Sequence, residues 1–465
     1  MKTSRSAKTP VPTYRTPQPS TFDRDPHHTD FVVLERSDLA LDSPPRSPTD
    51  IPEKDLFQSR LQNRPTRVLG TFSVVAITFL FACGGPLGSE PIVSIAGPLA
   101  GLLGFIIYPI VYTIPYASVV TELSAAFPED GGFTIWILNA FGPFWAVQVG
   151  YWSWIAGAVS IAIYPSYILD ILARITSFQL NAHQVYFVKA AIAVALSVPA
   201  LLGTKWISRL TSTLLLAVWL PLVVFVVWGC IAVNPTAATA LGTVHRTNTT
   251  FIEASHRVEQ SSDVEIDWYE LLSTLYWNYE GLRMASVFGG QVQNPAHVYK
   301  RAVSIVVALT AAAYILPLLA TLLSGSQTWT QFDRGTYEAA AQYLGGEPLR
   351  VLMVVCSFAT CMGLHICGVF CCSTEISGMA ENKLVPLAMA VRNAPCGSPH
   401  NAILTTLVIV LALMPFNLDE LLPVANTFGS LTLFTSLSSS LLVLGFAAPA
   451  AIFGGVRSYG FKRTF

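Results

Sequence analysis

The chain has 465 residues, of which 52% are hydrophobic and only 12% charged, and its formal net charge is −1. A soluble domain carries about 25% charged residues. With a mean hydropathy of +0.52, the composition excludes an ordinary soluble enzyme and fits an all-α polytopic membrane protein; it offers no basic surface for nucleic acid.

Residues 1–66 are rich in Ser, Thr, Pro, Asp and Arg and hold no apolar run of signal-peptide length. They read as a disordered cytoplasmic tail, with Thr16-Pro17 and Ser47-Pro48 as phosphorylation candidates. Eleven Lys and Arg from Lys2 to Arg67 precede the first apolar segment and place the N-terminus inside. A transmembrane core over 67–450 follows, then a short basic tail over 451–465.

About ten spans are expected, near 68–95, 98–125, 139–172, 183–202, 207–233, 268–290, 299–323, 346–380, 402–418 and 420–450. The first is interrupted by Phe81-Ala-Cys-Gly-Gly-Pro-Leu-Gly-Ser-Glu90. Pro86 has no N–H to give to the carbonyl of Ala82, and the glycines lower the cost of leaving helical geometry. Backbone groups freed at membrane depth are tolerated where they line a cavity or are buried in protein. The stretch is either a substrate-binding break or a proline kink without a ligand. The sixth span holds Asn278, Tyr279, Glu280, Gly281 and Arg283 at its centre. Polar residues there cost about 2.5–3.5 kcal/mol each on insertion scales and are functional suspects. Glu280 and Arg283 could equally form a local i, i+3 ion pair. Breaks in spans one and six suit a five-plus-five inverted repeat around one midplane site.

Inside loops expected from this count carry Lys205, Arg209, Lys300, Arg301, Lys383 and Arg392, a mild bias in the right direction. The polar stretch 234–267 then falls outside with a glycosylation sequon, Asn248-Thr249-Thr250. Five cysteines from Cys356 to Cys372 share one apolar segment with His365. Without a zinc-spaced pair they read as small apolar packing residues, so no metal and no cofactor is expected.

Cys83-Gly-Gly-Pro-Leu-Gly-Ser-Glu90, Ala96-Gly-Pro-Leu99 and Thr121-Glu-Leu-Ser-Ala-Ala-Phe-Pro-Glu-Asp-Gly-Gly132 resemble the amino acid–polyamine–organocation transporter superfamily, in its polyamine and L-type amino-acid branch of plants and trypanosomatids. Phe141-Gly-Pro-Phe-Trp145, Trp277-Asn-Tyr279, Gly289-Gly-Gln-Val-Gln-Asn-Pro295 and Ser373-Thr-Glu-Ile-Ser-Gly-Met-Ala-Glu-Asn-Lys-Leu-Val-Pro386 extend the likeness from about Val68 to about Leu431. The resemblance implies a secondary transporter of ten core helices in two inverted repeats, with discontinuous helices 1 and 6. Gly84, Gly85 and Gly88 match its helix-1 substrate loop; Asn278, Tyr279 and Glu280 match its helix-6 loop. Tyr151, Trp154 and Trp277 are candidate pocket walls. Two departures stand out. Gln291 and Gln293 occupy positions where the family usually has acids, and two further helices usual in the family are not recognisable after about Leu433, which makes an inactive truncated member one alternative.

Glu90 and Glu280 at the breaks, with Tyr276, Trp277 and Tyr279 beside them, suit a cationic substrate such as putrescine or spermidine; Glu90 could instead cap the second half-helix. Glu122 reads as structural and Asp170 as an outer-end charge. The expectation is polyamine uptake across the plasma membrane by alternating access, as a proton-coupled symporter and glycoprotein, with the bilayer as the other partner. An amino-acid permease is the closest rival; an enzyme or a channel is not expected.

Overall fold

The computed structural model describes residues 67–438, apart from 177–179, 236–247, 252–257, 262–265, 327–331, 394–395, 417–420 and 422. The two expected tails, 1–66 and 451–465, lie outside the described residues.

The first segment is α1 (Thr71–Ala82), a non-helical stretch, and α2 (Pro91–Ala96). The carbonyl of Phe79 accepts the amides of both Cys83 and Gly84, each at 2.9 Å, which ends α1. Gly84 then turns to φ +68°, outside helical space. Pro91 opens α2 where its missing N–H costs nothing. Pro98 likewise opens α3 (Pro98–Ala126), which carries one wide π turn at Pro109–Thr113. Next come α4 (Phe133–Phe141), α5 (Pro143–Thr176), α6 (Ala182–Leu202) and α7 (Thr204–Ile231).

The polar stretch after α7 contains a two-stranded antiparallel hairpin, β1 (Asn248–Phe251) against β2 (Val258–Ser261), with Asn248 opposite Ser261. Helix α8 (Trp268–Tyr279) starts on Asp267, whose carboxylate accepts the Glu270 amide at 3.0 Å. After α8 the chain breaks at Glu280–Gly281 and continues as two 3₁₀ turns, Leu282–Ser286 and Gly289–Gln291. Then follow α9 (Pro295–Ser324), α10 (Thr336–Glu381) and α11 (His400–Leu413), and a last helix, α12, runs over 423–438.

Among the described residues α3, α5, α6, α7, α9 and α10 are long and apolar enough to cross a membrane, while α1 and α11 are shorter apolar helices. The architecture is all-α and polytopic, with the first and sixth segments broken as expected. One expected boundary needs correction. The third span was expected at 139–172. Instead Gly142, at φ +84°, and Pro143 separate α4 from α5. The eighth was expected at 346–380, and a non-helical joint at Gly346, φ +67°, just before Pro348, starts it there and sets off a short preceding helix from Thr336. A short helix, a left-handed glycine and a nearby proline thus precede the third long segment of each half. This is the order a five-plus-five repeat requires.

Helix α10 is packed through small residues. A Cβ added to Gly363 would lie 2.7 Å from Leu80, and one added to Gly368 would lie 2.7 Å from Ile161. Gly157 on α5 faces Cys372 with no room for a side chain. Small residues let helices approach closely where lipid supplies no hydrophobic drive between them. Cys356, Cys361, Cys367, Cys371 and Cys372 are buried thiols on the same helix, α10.

Candidate functional site

The two breaks meet. The Asn278 amide donates to the carbonyl of Gly88 at 3.2 Å and to that of Thr274 at 2.8 Å, so one side chain spans from the sixth segment to the first. Gly281, at φ +120°, lies so close to α1 that a Cβ there would be 2.9 Å from the Cα of Ala82. Within the first break, the Cys83 thiol donates to the Gly85 carbonyl at 3.2 Å, and Thr360 of α10 donates to the Gly84 carbonyl at 3.0 Å. Freed carbonyls are therefore answered by side chains of neighbouring helices.

Glu280 and Arg283 form an ion pair, with their side chains 14% and 6% exposed. The Arg283 guanidinium also lies 5.4 Å from the centre of the Phe133 ring. Removing one member of a buried pair leaves the other charged and unanswered. Tyr279 donates to the Phe105 carbonyl at 2.8 Å and stacks on Tyr108 with ring centres 5.6 Å apart. Trp277 is half-buried against the core.

Glu90 has a different setting. Its carboxylate accepts the amides of Gly88 at 2.9 Å and Gly335 at 3.4 Å, and it makes no cap bond to α2. Beside it, the hydroxyls of Ser89 and Tyr337 are 2.6 Å apart, and Ser94 donates to the Phe332 carbonyl at 2.9 Å. Glu90 thus helps fasten the first break to the start of α10. Tyr151 is not brought to the breaks. It lies on α5 two residues before Ser153, on the order of 200° around the helix from that inward position. It is 36% exposed and its ring contacts Trp154, whose indole donates to Thr406 on α11 at 3.0 Å.

The opposite end, where α1 begins, is tied by backbone and charge. Leu69 and Val292 form an isolated parallel bridge: the Leu69 amide donates to the Gln291 carbonyl at 3.0 Å and the Gln293 amide to the Leu69 carbonyl at 2.9 Å. Asp130, in the loop before α4, accepts the Gly290 amide at 3.0 Å, the Gln291 side chain at 3.3 Å and Arg392 at 2.6 Å. Arg392 also reaches Glu381 at 3.0 Å. Burial works against the Arg392 charge, but Asp130 and Glu381 outweigh it and hold its pKa above the ordinary value. Gln291 donates to Asp130 while accepting from Thr204. An acid at that position would repel Asp130, which accounts for the glutamine.

Sequence reasoning passed over three groups here. Tyr108, Tyr112 and Tyr116 recur every fourth residue on α3, their ring centres 5.2 and 5.7 Å apart, and the Tyr112 hydroxyl has no partner among the described residues. That spacing was visible in the sequence. Glu375, fully buried on α10, was visible as a lone carboxylate in an apolar span. The Asp130–Arg392 pair joins residues 262 apart and left no local signal.

A family model described as amino acid permease matches residues 69–454. The chain is 28% identical to the probable polyamine transporter At1g31830 of Arabidopsis thaliana over 400 residues, covering 84% of this chain and 72% of that one. It is 30% identical to the probable polyamine transporter At3g19553 of the same plant, with 78% and 72% covered. Against the polyamine transporter PUT1 of Oryza sativa subsp. japonica the figures are 28%, 80% and 66%. With the family match running through both broken segments and nearly all of the described helices, the chain belongs to the amino acid permease family of membrane transporters.

Proposed function

We propose that this chain is a secondary active transporter that takes up polyamines across the plasma membrane by alternating access, coupled to protons, with its N-terminus in the cytoplasm. The observation that carries this reading is a carboxylate, Glu280, held inside the membrane domain where two broken helices meet, flanked by tyrosines. A polyamine has only ammonium groups and methylenes to offer. Carboxylates and aromatic rings are the partners such groups need. The names of the plant relatives agree with it. Both ends of the site are fastened by separate sets of bonds, at Glu90–Gly335 and at Asp130–Arg392, so alternating access would release one set at a time. The sequon at Asn248, on β1, belongs to the polar stretch that an inside N-terminus would put on the outer side.

The amino-acid reading has one observation in its favour: Arg283 sets a guanidinium beside the break, where a substrate carboxylate could pair with it. Uptake of radiolabelled putrescine, with spermidine, arginine and leucine as unlabelled competitors, separates the two. Saturable putrescine uptake is expected, blocked by spermidine and not by the amino acids, and reduced at least tenfold in Glu280→Gln. Competition by arginine or leucine would transfer the assignment to an amino-acid carrier.

A further inference from the structure

Helices α3, α8 and α12 each bury a side-chain oxygen that has no hydrogen-bond partner among the described residues: the hydroxyls of Tyr112 and Tyr276 and the side-chain carbonyl of Asn426. Tyr276 stands one helical turn before Glu280, whose amide donates to the Tyr276 carbonyl at 2.9 Å. The Tyr276 hydroxyl lies against α12, where a Cβ added to Gly429 would be 3.2 Å from it. Asn426 precedes Gly429 by three residues and shares its face of α12. Ser436, two turns beyond Gly429 on that face, meets the Tyr116 hydroxyl of α3 at 3.4 Å.

Tyr112 lies between Tyr108 and Tyr116, its ring centre 5.2 and 5.7 Å from theirs, and Tyr108 stacks on Tyr279, the neighbour of Glu280. Tyr112 and Tyr276 are close enough to act on each other electrostatically. The wide π turn of α3, Pro109–Thr113, carries Tyr112, and such turns are frequent at functional sites. Ser430, beside Tyr276, donates its own proton to the Asn426 main-chain carbonyl at 2.7 Å and has none for the tyrosine.

Packing does not account for these oxygens. A buried polar atom without a partner destabilises the fold, and a phenylalanine would fill the space of either tyrosine without that cost. The amide oxygen of Asn426 only accepts, and each hydroxyl has lone pairs to offer. A set of neutral acceptors beside tyrosine rings matches an ammonium group, which has donors and a positive charge and no acceptor.

We propose that Tyr112, Tyr276 and Asn426 form a second ammonium subsite, which takes the far end of a polyamine whose near end is held at Glu280. The inference rests on the polyamine reading above and deepens it: the protein selects its substrate by the second positive charge, at a point about one helical turn from the first carboxylate.

The test uses the full-length chain expressed in cells, with trace radiolabelled putrescine and two unlabelled inhibitors, putrescine and n-butylamine. Butylamine has the same four carbons and a single ammonium. In the wild-type chain it is expected to inhibit at least tenfold more weakly than putrescine, the size of effect that a hydrogen bond to a charged group carries. Tyr112→Phe and Tyr276→Phe, compared at equal amounts in the membrane, are each expected to weaken putrescine about tenfold and to leave butylamine unchanged. A merely structural role for the hydroxyls would move both amines together or neither, and either result overturns the proposal. Equal potency of butylamine and putrescine on the wild-type chain overturns it as well, whether or not the variants reach the membrane. Absence of any putrescine uptake by wild-type chain present in the membrane defeats the polyamine reading itself, a result distinct from uptake that ignores the second ammonium.

Discussion

Asp130→Ala is expected to lower the unfolding temperature of the purified protein by several degrees and to free the end of the bundle where α1 begins. Asp130 is 5% exposed and holds Arg392, Gly290 and Gln291 at once. Its removal leaves a guanidinium that is 3% exposed with Glu381 and the Gly397 carbonyl as its remaining partners. Losing one member of a buried pair costs about 3–5 kcal/mol. Asp130→Asn, which keeps an acceptor for the Gly290 amide and loses the charge, should fall between. The guanidinium brings no pH dependence of its own near neutrality. Its folded pKa is raised, so its contribution is complete below the ordinary arginine value and is lost only as pH rises through the folded one. Thermal unfolding followed by intrinsic fluorescence checks this; an unchanged midpoint in Asp130→Ala would show that water already screens the pair.

Gly281→Val is expected to abolish uptake in protein that still reaches the membrane. At φ +120° a branched side chain is strained, at a cost of about 1–3 kcal/mol. The added Cβ would also sit 2.9 Å from the backbone of Ala82, and overpacking of that kind costs about 1–3 kcal/mol more. Both penalties fall where the first and sixth segments touch, so they act on the geometry of the site as well as on stability. Gly70→Ala is the matched control, since nothing lies within 4 Å of the Cβ it would add. Transport equal to wild type in Gly281→Val would mean that the breaks need not approach this closely.

Much of this arrangement could be read from the chain because its signals are local. Gly84, Gly85, Pro86 and Gly88 advertise a break, and Asn278 to Arg283 place polar groups in an apolar span; each rests on neighbours a few residues away. The joint at Gly142 is equally local, yet hydropathy passes smoothly across it and only the backbone turn divides the helices, whereas the joint at Gly346 falls at the expected start of the eighth span. Glu90 was visible as a buried acid, but its partner Gly335 lies 245 residues on, so its attachment to α10 could not be foreseen. Tyr151 is an aromatic on α5, and aromatic identity says nothing about helical phase. Its phase became clear only when Ser153 was seen to face Glu375.

Six of the eight cysteines are buried, Cys83 within the first break itself, whereas Cys230 is exposed and Cys396 half-exposed. A thiol reacts as its thiolate and only where a reagent can reach it. With the helices closed, an electrophile or oxidant can meet Cys230 and Cys396 but none of the six buried thiols. Any reaction at Cys83 or along α10 marks a moment when the bundle has parted. The close packing that lets α10 pass through the centre of the domain thus turns its sulfur atoms into a clock: their rate of modification measures how often the closed form gives way.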